Sequence, residues 1–176
     1  VGITGIGKST LLDIIMGLLN PTDGEFMIDQ HPINKQNRRA WQAHIAHVPQ
    51  SIYLSDSTIE ENIAFGIPKE KINRQQVKKA AKQAQLSKLV EDLKDGYQTF
   101  VGEKGVRMSG GQCQRIGIAR ALYKKANVLV FDESTSALDG KTEMAVLDEI
   151  SKLNKELTIL IIAHRVDTLR NCNKII

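Results

Sequence analysis

The stretch Gly2-Ile3-Thr4-Gly5-Ile6-Gly7-Lys8-Ser9-Thr10 has the spacing G-x-x-x-x-G-K-[ST], a glycine-rich turn that runs straight into a helix. Gly2, Gly5 and Gly7 let the loop turn its N–H groups inward, Lys8 reaches the terminal phosphates of a nucleotide, and Ser9 offers a hydroxyl to magnesium. Thr4 and Thr10 complete the phosphate-binding set. Leu11, Leu12, Ile14, Ile15, Met16, Leu18 and Leu19 predict a helix from about Lys8 to Leu19, apolar nearly all round as if buried against a sheet. Its N-terminus then points at the phosphates. The loop alone fits a kinase, a GTPase or a motor equally well.

A second glycine cluster narrows the choice. Met108-Ser109-Gly110-Gly111-Gln112 precedes the helical run Cys113 to Leu122. Ser109 is placed to cap that helix, whose N-terminal charge of about half an elementary unit suits a γ-phosphate, while Gly110 and Gly111 permit close approach. This run resembles the LSGGQ signature of the ATP-binding cassette (ABC) ATPases. Met108 stands where that family usually has Leu, and Cys113 where a basic residue is common, but the Ser-Gly-Gly-Gln core through Gln112 is intact.

Asn127-Val128-Leu129-Val130-Phe131-Asp132-Glu133 reads as a buried parallel strand delivering two carboxylates to the C-terminal edge of a sheet. Asp132 is placed to hold magnesium through water, leaving Glu133 to orient and deprotonate an attacking water. The following Ser134-Thr135-Ser136-Ala137-Leu138-Asp139 resembles the family's D-loop, with Asp139 in its closing position. A second apolar strand, Leu157 to Ala163, delivers His164 to the same edge, where it resembles the family's switch histidine and can hydrogen-bond the γ-phosphate. Gln50, after Val48-Pro49, resembles the Q-loop glutamine that contacts magnesium and senses a transport domain.

The order of these motifs is that of an ABC nucleotide-binding domain, and the resemblance covers nearly the whole chain. It implies an α/β P-loop NTPase fold, a mainly parallel sheet flanked by helices, with residues 1–50 and 126–176 as the RecA-like core and 51–125 as an inserted helical lobe carrying the signature. It implies ATP and Mg2+ as ligands. It also implies a head-to-tail dimer with a second nucleotide-binding domain, in which Ser109 to Gln112 complete the partner's site. Thr58-Ile59, Asn62-Ile63, Phe65-Gly66 and Val101-Gly102-Glu103-Lys104-Gly105 resemble the exporter subclass, in which the segment before the signature touches a transmembrane domain. Glu103 is the expected contact, the membrane domain is expected to be fused N-terminally, and the domain is expected at the cytoplasmic face of the membrane. A rival reading is a non-transport cassette ATPase acting on DNA or ribosomes; the exporter-like Val101 to Gly105 and the lack of coiled-coil heptads argue against it. A P-loop kinase or GTPase leaves the Ser109 cluster unexplained.

Composition agrees with one folded unit. The 176 residues are 41% hydrophobic and 25% charged, enough for a core and ordinary for a globular chain. The net charge of +4 would permit nucleic-acid binding, but Lys69, Lys71, Arg74, Lys78, Lys79, Lys82 and Lys88 alternate with polar residues on helical segments and read as a solvated face. No aromatic array for stacking bases stands out, so no nucleic-acid partner is expected. Cys113 and Cys172 have no metal or redox spacing and read as free thiols; His44 and His47 sit at a strand end, where zinc is not expected. No apolar run approaches the ~18 to 20 residues that cross a bilayer, and the chain reads as soluble as given. Val1 and Ile176 read as cut ends, with the adenine-stacking aromatic and an antiparallel layer expected upstream of Val1.

A coarse pass places a turn at Asn20 to Gly24, a strand at Glu25 to Asp29, and an S-x-x-E capping box at Ser57 to Glu60. Short helices follow to about Asp95-Gly96. Met144, Leu147, Ile150 and Leu153 recur on a helix that crosses to the Leu157 strand, forming a right-handed βαβ unit.

Overall fold

Helix α1 (Lys8–Ile15) stops earlier than its apolar run predicts, and the cause is local. Gly17 adopts φ 68°, its N–H bonds Ile14 O at 2.9 Å, and the Leu18 N–H bonds Asp13 O at 2.7 Å. These are the paired bonds of a Schellman stop. Nor is the helix apolar all round in its packing: Leu11, Leu18 and Leu19 are 52%, 56% and 47% exposed, and Leu12 and Met16 are buried with Ile15 packed against them. The computed structural model describes residues 7–132, 138–152, 157–162 and 172–175.

Strands β1 (Met27–Ile28) and β2 (His31–Pro32) pair antiparallel around Asp29 and Gln30. Both turn residues have positive φ, 49° and 68°, as a two-residue type I′ hairpin requires. The ladder thus takes only two residues of the expected Glu25 to Asp29 strand. Helix α2 (Arg38–Ala43) is fastened to the end of α1 by the Trp41 indole, which donates to Ile15 O at 2.7 Å, and leads into β3 (Ile45–Val48).

Between β3 and the next strand the chain is helical: α3 (Ile59–Ile63), α4 (Arg74–Gln83), α5 (Ser87–Asp92) and α6 (Gly110–Tyr123). The capping box of α3 lies one residue later than the S-x-x-E reading. Thr58 is the cap, its Oγ1 accepting from Glu61 N–H at 3.2 Å while Glu61 Oε2 accepts from Thr58 N–H at 3.0 Å. Ser57 is committed elsewhere, since its carbonyl accepts from Val101 N–H at 3.1 Å and its hydroxyl meets Ser55 and Asn62. Glu60 turns inward to pair with Arg74 at 3.2 Å.

Strand β4 (Val128–Asp132), helix α7 (Gly140–Ser151) and strand β5 (Thr158–Ile162) complete the described elements. Strands β3, β4 and β5 form a parallel sheet in that order, with Val48 opposite Phe131 and Asp132 opposite Ile162. Alternation along the strands splits the core in two. Ile45, Val128 and Val130 pack with Leu12 and Met16 of α1 on one face. Ala46, Val48, Leu129 and Phe131 join the larger cluster with Ile116, Ile118 and Ala119 of α6 and Val146 and Ile150 of α7. This is an α/β fold with helices on both faces of a parallel sheet. On α7 the buried stripe is Glu143, Val146, Leu147 and Ile150, an i, i+3, i+4, i+7 set; the expected every-third-residue stripe is corrected at Met144, which is only half-buried, and Leu153 lies outside the described residues.

Candidate nucleotide site

The start of α1 is built for backbone chemistry. Gly7 is its N-cap at φ 94° and has no side chain to cap with; a Cβ there would be strained by the backbone although no described residue stands within 4 Å of it. Lys8 is half-buried, and Ser9 and Thr10 are exposed. Gly2, Thr4 and Gly5, the rest of the expected loop, lie outside the described residues.

The sheet carries the next groups to a common edge. Asp132 is the last residue of β4 and is half-buried; it falls on the α1 face by alternation from Val128 and Val130. Gln50 is exposed and lies two residues past β3, which runs parallel to β4. Ser9, Gln50 and Asp132 offer a hydroxyl, an amide oxygen and a carboxylate, an oxygen-only donor set of the kind a hard cation such as Mg2+ takes. Glu133, His164 and the D-loop residues 134–137 lie outside the described residues. Desolvation of the His47 ring in β3 lowers its pKa, against the pull of Asp132 and Asp13, so these three groups share one electrostatic neighbourhood on the α1 face.

Ser109 caps α6 as expected, but it does so as half of a closed pair. Its hydroxyl accepts from Gln112 N–H at 3.3 Å, and its own N–H donates to Gln112 Oε1 at 2.8 Å, a capping box that leaves Ser109 and Gly110 exposed with Gly111 half-buried behind them. Because α6 packs on the sheet face opposite α1, the fold does not seat the Ser109 cluster and the Lys8 helix in one core. Asp139 is exposed and is the N-cap of α7: Thr142 Oγ1–H donates to it at 2.7 Å and Thr142 N–H at 3.0 Å, and these bonds hold its carboxyl below the ordinary range. Burial lowers the pKa of Arg115 on α6, and Asp139 acts in the opposite direction.

Sequence reasoning missed the polar joint between α3 and α6. Arg120 donates through Nε to Asn62 O at 2.9 Å, through Nη1 to Tyr53 O at 3.0 Å and through Nη2 to Asn62 Oδ1 at 3.2 Å, and its guanidinium lies 4.6 Å from the Phe65 ring centroid. Asn62 is fully buried. The signal was present, since Asn62 sits three residues from Ile59 and next to Ile63 on an apolar helix face. A cavity of about 310 Å3 lies at the other end of the sheet, lined by Gln76, Lys79, Lys125, Asn127 and Leu157 among others; it contains none of the expected site residues.

The family model for ABC transporters matches residues 1–136. The chain is 43% identical over 175 residues to ABC transporter B family member 1 of Arabidopsis thaliana, covering 99% of this chain and 14% of that protein. It is 39% identical over 177 residues to the ATP-dependent lipid A-core flippase of Cupriavidus metallidurans, covering 100% of this chain and 30% of that one. A solved bacterial Atm1-family ABC exporter with ATP bound superposes with a TM-score of 0.89 at 38% identity, over 96% of this chain and 29% of that one. The chain therefore spans less than a third of the length of these relatives. With a parallel P-loop sheet, a capped Ser-Gly-Gly-Gln helix and these relatives, the chain belongs to the ABC transporter family, as a nucleotide-binding domain of the exporter type.

Proposed function

We propose that this domain binds ATP with Mg2+ and hydrolyses it to drive export by a membrane transporter, at the membrane's cytoplasmic face. The observation that carries the shared-site part of this reading is the placement of α1 and α6 on opposite faces of the sheet. A phosphate held at Lys8 then needs the Ser109 cluster of a second nucleotide-binding domain, packed head to tail. In this reading Gly2, Thr4, Gly5, Gly7, Lys8, Ser9 and Thr10 cradle the phosphates. Ser9, Gln50 and Asp132 hold Mg2+, which when bound neutralises charge on the phosphate oxygens. Glu133 orients and deprotonates water, His164 fixes it in line with the γ-phosphate, and Asp139 closes the D-loop beside the dimer partner. Ser109, Gly110, Gly111 and Gln112 reach the partner's ATP. Residues 1–50 and 126–176 act as the core and 51–125 as the lobe that moves with the signature.

Exposed Tyr53, Phe65, Ile67 and Phe100, of which Phe100 directly precedes the segment carrying the exposed Glu103, supply apolar surface for the transmembrane domain. That domain is read as fused N-terminally to this one. Among the described residues no helix is long and apolar enough to cross a membrane. The test of the chemistry is Glu133→Gln in the complete protein: ATP binding persists and turnover falls by about 10²- to 10⁴-fold. Turnover near the wild-type rate would remove Glu133 from its role.

A further inference from the structure

Gly117 lies buried in the middle of α6, where glycine is a poor helix former and needs a reason. The reason is Ile52. A Cβ at residue 117 would stand 2.5 Å from Ile52 Cδ1, 2.9 Å from Cγ1 and 3.1 Å from Cγ2. Because Ile52 branches at Cβ and is stiff about χ1, swinging the δ-methyl aside does not clear the other two carbons. The side chain is seated in a notch that only glycine leaves open.

The neighbouring residues make the same attachment. Tyr53 O accepts from Arg120 Nη1 at 3.0 Å, and Arg120 is three residues beyond Gly117 on α6. Leu54 is fully buried and lies 3.0 Å from the Cβ position of Gly105, which Cys113 Sγ of α6 approaches to 3.1 Å. The segment that follows Gln50 is thus fastened to the signature helix, and to the turn before it, at consecutive residues.

We infer that Ile52 and Gly117 are positioning residues that hold Gln50 in register with the signature helix, so that displacement of α6 is transmitted to the magnesium edge of the sheet. The inference rests on the proposed role of Gln50 and extends it to two residues that touch neither nucleotide nor metal.

The test is made on the complete protein with Gly117→Ala, Ile52→Val and the double variant, reading hydrogen exchange of the backbone amides and ATPase kinetics together. In Gly117→Ala, exchange across residues 50–54 rises while β4 and α4 keep wild-type protection. The kcat falls by about tenfold to a hundredfold, the scale expected for a small misplacement of a catalytic group. The Mg2+ concentration for half-maximal activity rises, and ATP affinity measured without Mg2+ stays put. Ile52→Val alone removes the nearest carbon without overpacking and gives the same changes in smaller measure, which covers the case of a poorly folding Gly117→Ala. In the double variant the 2.5 Å contact is gone while those of the two Cγ atoms at 2.9 and 3.1 Å remain, so exchange and Mg2+ dependence move part of the way back toward wild type. Unchanged exchange over 50–54 in Gly117→Ala, or a double variant with restored thermal stability that stays as impaired as the single, would overturn the inference. A wild-type protein without ATPase activity would instead strike the proposed function, while the exchange measurement would still report on the Ile52 seat.

Discussion

Helices α1 and α6 each begin at a glycine-rich turn, and each offers a helix N-terminus to an anion, yet the chain finishes them differently. The N-cap of α1 is Gly7, which contributes no side chain, and the helix is held by Leu12 and Met16 over eight residues. The N-cap of α6 is Ser109, locked reciprocally with Gln112, on a helix of 14 residues with Gln114, Ile116, Gly117, Ile118, Ala119, Ala121 and Leu122 buried. One start is open in that its cap supplies no side chain; the other is closed by the chain's own side chains and presented ready-made. A preformed donor set costs no reorganisation when an anion arrives, which suits the proposed meeting of this helix with a nucleotide carried by another chain.

The sharpest way to break this contrast is to remove the charge at the open end. Lys8→Ala should lower kcat/KM for ATP by about 10²- to 10³-fold, as loss of a donor to a developing phosphate charge does, with little effect on the thermal midpoint. A large fall in stability with ATPase activity retained would show that Lys8 is structural. Next in size is Gly17→Ala, which forces a side chain into the left-handed region and against Arg38 Cγ at 3.1 Å. A cost of about 1–2 kcal/mol in chemical denaturation is expected, and a neutral result would mean the Schellman stop does not end α1. At the closed end, Ser109→Ala should remove a cap worth about 1 kcal/mol, and Ser109→Asn should restore stability in the same denaturation assay.

The smallest effect separates two boxes of the same design. Hydrogen bonds from Thr58 hold the Glu61 carboxyl below its ordinary pKa, so its contribution is fully present above the unfolded value near 4.5 and is lost as pH falls through the depressed folded value. The Ser109–Gln112 box has no titrating member. Hydrogen exchange at the start of α3 should therefore accelerate in acid below that value, beyond the intrinsic pH dependence, while the start of α6 should not. Parallel behaviour at both sites would contradict the assignment.

The sequence made the sheet edge legible because a buried parallel strand is a continuous apolar run, and Val128 to Phe131 is one, ending in Asp132. Ser109 was legible as a cap because it precedes the glycines of a long helix, although its closure by Gln112 was not foreseen. Three features were hidden by chemistry that is not periodic. Gly17 sits inside an apolar run, where its left-handed conformation outweighs the pattern around it. Asp29 and Gln30 take an I′ turn without the usual glycine. In Ser57-Thr58-Ile59-Glu60-Glu61 two registers of the capping box are possible, and the long-range bonds Val101 N–H to Ser57 O, 3.1 Å, and Ile59 N–H to Thr99 O, 3.0 Å, favour the second. The Ile52 seat could not be read at all, since it joins residues far apart in sequence through the absence of a side chain.

Head-to-tail pairing requires that one chain's open helix start meet another chain's closed one. Cysteines placed singly beside Lys8 and beside Ser109 on differently tagged copies of the complete protein, with Cys113 and Cys172 replaced by serine, make that contact directly measurable by oxidative cross-linking with and without ATP. Head-to-tail pairing gives an ATP-dependent disulfide between differently tagged chains; cross-links that form only within a chain, when both cysteines are placed on one copy, would contradict it.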